Sequence, residues 1–177
     1  MSGKPHVIGV IPARYGSTRF PGKVLAEIAA KPMIQWVYEQ ANQSKVLDRL
    51  IVAVDDQRVL KCVEEFGGLA VMTKDNHQSG TDRIAEAVEH IHADIIVNIQ
   101  GDQPLLDPKM IDEAVQALLE DTSVQMSTLK IKIGEEDYSD PSVVKVVTDA
   151  HDFALYFSRS LIPYPRDKVE VQVFEHV

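Results

Sequence analysis

Short apolar runs and stretches of helical periodicity alternate along the first 120 residues. The first run, Val7, Ile8 and Val10, is stopped by Pro12 and followed by a loop holding Gly16 and Gly22, which predicts a buried strand opening into a flexible turn. Lys31-Pro32 then opens a helix, with Ile34, Val37, Tyr38 and Ala41 on one face and Trp36 at its edge. Arg49 to Val54 (RLIVAV) is too uniformly apolar for a sheet with one wet face, so both faces of this second strand are expected to be covered. Asp55 and Asp56 follow as N-cap candidates for a helix that closes at Gly67-Gly68. A carboxylate pair is also metal-ligand chemistry, but capping is its more frequent use. Leu69 to Met72 is a third strand, and a helix carrying Ile84, Ala87, Val88 and Ile91 inward leads to a fourth, Asp94 to Ile99, again expected to be buried. Met110 to Leu119 is strongly amphipathic.

Beyond that helix the pattern changes to period two. Val124 to Ile133 alternates, and Val143 to Thr148 with Phe153 to Phe157 flank Asp149-Ala150-His151-Asp152 as a hairpin. The fold class is therefore α/β, a three-layer arrangement with a mostly parallel sheet and an antiparallel extension. With 177 residues, one domain over 1–177 is expected.

Composition narrows the function. Eighteen basic against 27 acidic side chains give a net charge of -9, so no overall basic field exists to attract nucleic acid. Cys62 is alone and surrounded by Val59, Leu60, Val63 and Phe66, which makes it a core residue rather than a nucleophile and fits a reducing compartment. No charged and apolar leader precedes the first strand, and no apolar run is long enough to span a bilayer. A cytoplasmic protein with no membrane partner is the expectation.

Three polar loops leave the predicted strand ends. The first, IPARYGSTRFPGK, carries Arg14, Arg19 and Lys23 together with Ser17 and Thr18. On its residues alone it is either solvated basic surface or a cradle for a polyphosphate, since glycines let backbone N–H groups approach an anion and guanidinium forks match phosphate oxygens. It has neither the GxxxxGK[ST] spacing of a Walker loop nor the GxGxxG of a dinucleotide site. The second, TKDNHQSGTDR, gathers His77, Gln78 and Arg83 in one turn. The third, Gln100-Gly101-Asp102-Gln103-Pro104, sets an acid just past a core strand, where open α/β sheets place their ligands. As alternatives, Asp102 caps its turn or helps bind a hard cation.

These blocks, with VNIQGDQP and VKVV followed by YFSR, stand in the order of, and resemble nearly residue for residue, the sugar-activating cytidylyltransferases, most closely those acting on 3-deoxy-manno-octulosonate. The match runs from about Val7 to Asp167. The resemblance implies a nucleotide-diphospho-sugar transferase fold and the attack of a sugar-acid hydroxyl on the α-phosphorus of CTP, giving the CMP-sugar and pyrophosphate for lipopolysaccharide biosynthesis. It further implies Arg14, Ser17, Arg19 and Lys23 on the triphosphate, with Arg14, Lys23 and Asp102 as the catalytic set. Arg83 and Gln100 would read cytosine, Asp102 would anchor Mg²⁺, and Arg159 and Arg166 would face pyrophosphate and the acidic sugar. Lys145 matches another recurring cation, and a homodimer is a family expectation.

Two departures qualify the resemblance. Gln103 stands where the family usually has glutamate. Family chains also continue past the position of Val177 into a section carrying a second metal-binding aspartate, further sugar-binding residues and part of the dimer contact. A sialic-acid cytidylyltransferase is the nearest alternative, with the wording RYGSTRFPGK favouring the octulosonate branch. A non-catalytic nucleotide-binding module is an alternative of a different class.

Overall fold

The computed structural model describes residues 3–16, 20–164, 166 and 173–176, with backbone alone at 175 and 176. Ser17, Thr18 and Arg19 lie outside the described residues. The described chain forms two compact units, 1–119 and 120–177.

The first unit is built on four parallel strands: β1 (Val7–Ala13), β4 (Arg49–Val54), β5 (Ala70–Met72) and β6 (Ile95–Asn98), in the order β5-β4-β1-β6. A two-stranded ribbon, β2 (Glu27–Ile28) and β3 (Lys31–Pro32), precedes α1 (Met33–Ala41). Helices α2 (Gln57–Glu65), α3 (Gly80–Val88) and α4 (Pro108–Glu120) complete it. The alternation of side chains along β1 and β4 divides the core in two. Ile11, Ala13, Leu50, Val52 and Val54 pack with Ile34 and Val37 of α1, Val59 and Val63 of α2, and Ile111 of α4. Ile8, Val10, Ile51 and Ala53 pack on the other face with Ile84 and Ala87 of α3. This is the expected three-layer order. Cys62 packs at the edge of the first cluster, and burial pushes its thiol pKa up, as suits a core residue.

Several local expectations differ from the structure. Strand β1 runs through Pro12 to Ala13. Proline is tolerated there because β6 pairs only with Val7 to Val10. Val10 accepts from the Ile99 N–H on that side, so two residues on Pro12 points its missing N–H beyond the end of β6. Strand β6 itself is not buried on both faces: Ile96 is 46% exposed, because β6 is the outer strand of this sheet. Pro32 lies outside α1, as its N-cap. Of the two acids after β4, only Asp56 caps α2, its side chain accepting from the Arg58 N–H.

The second unit holds the antiparallel strands as a sheet of their own. Strands β7 (Lys130–Lys132), β8 (Lys145–Thr148), β9 (Ala154–Ser158) and β10 (Phe174–His176) are ordered β7-β10-β8-β9. The hairpin expected around Asp149 is β8 and β9, with a register shift at Val147/Thr148. Of the alternating stretch 124–133 only β7 is strand, and it pairs with β10, an element absent from the sequence reading. Among the described residues no helix is long and apolar enough to cross a membrane.

Ile51 has no exposed surface and sits between β1 and α3. Ile51→Ala is expected to lower the unfolding free energy by about 2–5 kcal/mol. A urea titration should show this as a lower midpoint with unchanged slope.

Candidate active site

Parallel strands deliver their C-terminal ends to one edge, and the three polar loops meet there. They enclose a cavity of about 550 Å³ lined by Arg14, Lys23, His77, Arg83, Gln100 and Asp102, among others. All of its described lining residues belong to the first unit.

The loop after β1 is closed at its root. The Gly22 N–H donates to the Tyr15 carbonyl at 2.8 Å, and Gly22 takes φ 71°, the left-handed region that glycine enters without strain. A Cβ there would stand 3.0 Å from the Tyr15 ring. This closure places Lys23 at the start of a short 3-10 turn, Lys23–Leu25. On the other side, Gly101 lets the loop after β6 approach β1: a Cβ on it would lie 3.1 Å from the Pro12 carbonyl oxygen. The two loops are thus drawn together, and the Lys23 Nζ reaches Asp102 Oδ2 at 2.8 Å. Their side chains remain 45% and 51% exposed. A pair so wet is worth about 0–1 kcal/mol, so it opens readily when other charges arrive.

A second ion pair behaves differently. Arg83 and Asp55 have side chains only 3% and 9% exposed and meet at 2.9 Å. Asp55 also accepts from the Tyr15 N–H at 2.9 Å. Arg83 donates further to Thr73 Oγ1 at 2.6 Å and to the Lys74 carbonyl at 3.2 Å, while the Thr73 hydroxyl donates to the Val54 carbonyl at 2.8 Å. The end of β4, the root of the β1 loop and α3 are therefore tied through one carboxylate. Beside them the Arg58 guanidinium lies 3.5 Å from the Tyr15 ring centroid and bonds both oxygens of Asp56, which holds that carboxyl down at about 2.

The wall formed by residues 77–80 is uncharged apart from His77. Ser79 caps α3, its Oγ accepting from the Asp82 N–H at 3.1 Å and donating to the Asp82 carboxylate at 2.7 Å. His77 Nε2 bonds Glu86 Oε2, and that carboxylate also accepts from the Lys74 N–H at 3.1 Å.

The structure thus brings Arg14, Lys23, Arg83, Gln100 and Asp102 of the expected residues around one cavity. Arg14 makes no hydrogen bond or ion pair among the described residues. Ser17 and Arg19 lie outside the described residues. Arg159 and Arg166 are exposed in the second unit, where Arg159 donates to the Pro141 carbonyl at 2.6 Å. Lys145 is fully buried there, its ammonium turned onto the carbonyls of Asp140, Val143 and Arg159. The sequence reading missed two residues, Asp55, treated as a cap candidate, and Glu86. The signal for Asp55 was a second acid at a strand end where one suffices to cap; for Glu86 no spacing marked it.

The cytidylyltransferase family model matches residues 8–175. The chain belongs to the cytidylyltransferase family. Cytidylyltransferases of this kind generally use a divalent metal. Among curated members, the 3-deoxy-manno-octulosonate cytidylyltransferase of Trichlorobacter lovleyi is 52% identical over 163 residues, which cover 92% of this chain and 65% of that protein. The same-named protein of Geobacter metallireducens is 55% identical over 163 residues, covering 92% and 64%. The chain therefore spans a little under two thirds of the length of these relatives. A solved structure of a CMP:2-keto-3-deoxy-manno-octonic acid synthetase complexed with CTP superposes with a TM-score of 0.94 at 45% identity, over 97% of this chain and 71% of that one.

The buried pair makes this chain sensitive at a residue that only borders its cavity. Asp55→Ala leaves Arg83 buried without a counter-charge and is expected to cost about 3–5 kcal/mol of stability. Asp55→Asn, which still accepts from Tyr15, is expected to cost less. Equilibrium denaturation of the two variants measures the difference, and a loss below about 1 kcal/mol for the alanine would dissolve the network as the clamp described.

Proposed function

We propose that this chain carries the nucleotide-binding part of a 3-deoxy-manno-octulosonate cytidylyltransferase, which activates the sugar acid with CTP to give CMP-3-deoxy-manno-octulosonate and pyrophosphate, as a step toward lipopolysaccharide. The observation that carries the reading is the contact between Lys23 and Asp102, a cation from the basic loop on an acid from the loop after β6, at the rim of the cavity. The names of the relatives and the CTP in the superposed structure support the substrate class.

In this reading the sugar hydroxyl oxygen forms a bond to the α-phosphorus, the bond from that phosphorus to the pyrophosphate oxygen breaks, and the hydroxyl proton is released. The protein's share is positioning and charge neutralisation. Arg14 and Lys23, with Ser17 and Arg19, hold the triphosphate; Lys23 leaves Asp102 for phosphate oxygens. Arg83 and Gln100 face the base, and Asp102 holds Mg²⁺. The donor set fits a metal that arrives with the nucleotide: Asp102 is the one carboxylate lining the cavity among the described residues, and no cluster of three metal-ligating side chains occurs among them. Bound there, Mg²⁺ would withdraw charge from the phosphates. Arg159 and Arg166 are assigned to pyrophosphate and sugar on the family resemblance, which also supports a homodimer; the lone Cys62 fits a reducing, cytoplasmic setting.

Pyrophosphate release with CTP, Mg²⁺ and 3-deoxy-manno-octulosonate tests the reading, with sialic acid as the competing acceptor. Asp102→Asn is expected to lower turnover at least about 100-fold while leaving the melting temperature almost unchanged, because the pair it breaks is half exposed. Lys23→Met is expected to lose about 100- to 1000-fold, mainly in kcat. Near-normal turnover in Asp102→Asn would remove the metal role.

A further inference from the structure

We infer that His77, fixed by Glu86, is the residue that distinguishes cytosine from uracil. The inference rests on the proposal that CTP occupies the cavity. With the triphosphate at Arg14 and Lys23, the base is left to the uncharged wall at residues 77–80 and to Arg83 and Gln100. That wall lies across the sheet edge from Lys23: the 3-10 turn Lys23–Leu25 packs against α1 and α2, whereas α3 covers the opposite face.

Cytosine and uracil present the same O2 oxygen and differ at positions 3 and 4. Cytosine offers an acceptor nitrogen and an amine donor, uracil an N–H donor and a carbonyl acceptor. Discrimination therefore needs a group whose polarity is fixed. Arg83 only donates, and both of its terminal nitrogens are already engaged by Thr73, the Lys74 carbonyl and Asp55, so what it has left is assigned to O2, which both bases present. The exposed amides of Gln78 and Gln100 can present either end, each held only by a 3.2 Å bond, to the Asn76 carbonyl and the Asn98 side chain. The Ser79 hydroxyl is engaged with Asp82 in both directions.

His77 is different. Its side chain is 17% exposed, lines the cavity, and makes its one described hydrogen bond from Nε2 to Glu86. Glu86 is kept ionised by that bond and by the Lys74 N–H, which lower its pKa. A carboxylate only accepts, so Nε2 carries the hydrogen, and in the neutral ring Nδ1 is left as a bare acceptor. An acceptor held in place pairs with the amine of cytosine and confronts the O4 lone pairs of uracil, and a site built to bond a group rejects the analogue lacking it.

Calorimetric titration of CTP and of UTP into the full chain, and into His77→Phe and Glu86→Gln, tests this. The unmodified chain should prefer CTP. His77→Phe, which keeps a ring and loses both nitrogens, should weaken CTP binding about 10- to 100-fold, leave UTP within about twofold, and so collapse the preference. Glu86→Gln should give an intermediate loss, and the imidazole ¹⁵N shifts of His77 should change from a single Nε2–H tautomer to a mixture. An unchanged CTP to UTP ratio in His77→Phe overturns the inference, as does an Nδ1–H tautomer in the unmodified chain. CTP preference without pyrophosphate release would instead count against the transferase reading alone.

Discussion

The position of β1 between β4 and β6 governs the site. Because the three strands are parallel, and the apolar residues of β1 and β4 are covered on both faces, their polar continuations emerge at one edge. β1 ends in the basic loop and β6 in the acidic one, so Lys23 and Asp102, 79 residues apart in sequence, become neighbours. β4 flanks β1 on the other side and ends in Asp55, which grips the root of the same loop. Strand order does most of the work that a compact sequence motif does elsewhere.

Burial then separates the two ion pairs into different tasks. Asp55 and Arg83 are removed from water, their charges satisfied by each other and by Tyr15, Thr73 and Lys74. Separating them would strand a charge in the interior, so they form part of the permanent frame. Lys23 and Asp102 are half in water, and their contact is exchangeable at small cost. In the proposed reaction Lys23 would supply a cation for phosphate and Asp102 a carboxylate for the metal ion, and their pairing would keep both poised.

Much of this was legible in the residues, for reasons that can be named. RLIVAV could only be a strand with both faces covered, and the amphipathic spacing of Ile84 and Ala87 fixed which face of α3 turns inward. Local rules failed where a neighbouring strand decides the outcome. Pro12 reads as a stop because nothing local reveals that β6 ends before reaching it. Ile96 reads as core because strand order, not composition, puts β6 at the sheet's edge. Lys145 is marked in the sequence only by its match to a recurring family cation, and that it is buried with its ammonium on carbonyls of its own unit follows from the fold of residues 140–159. The partnership of His77 with Glu86 depends on how the loop folds back on α3, which no spacing encodes.

The account turns on Lys23 and Asp102 giving up each other for the nucleotide. A crystal structure of the chain with CTP and Mg²⁺ tests this most directly. The account predicts that the 2.8 Å contact is gone, with the Lys23 ammonium on a phosphate oxygen and an Asp102 oxygen on the metal. A nucleotide bound with the Lys23–Asp102 pair intact would contradict it.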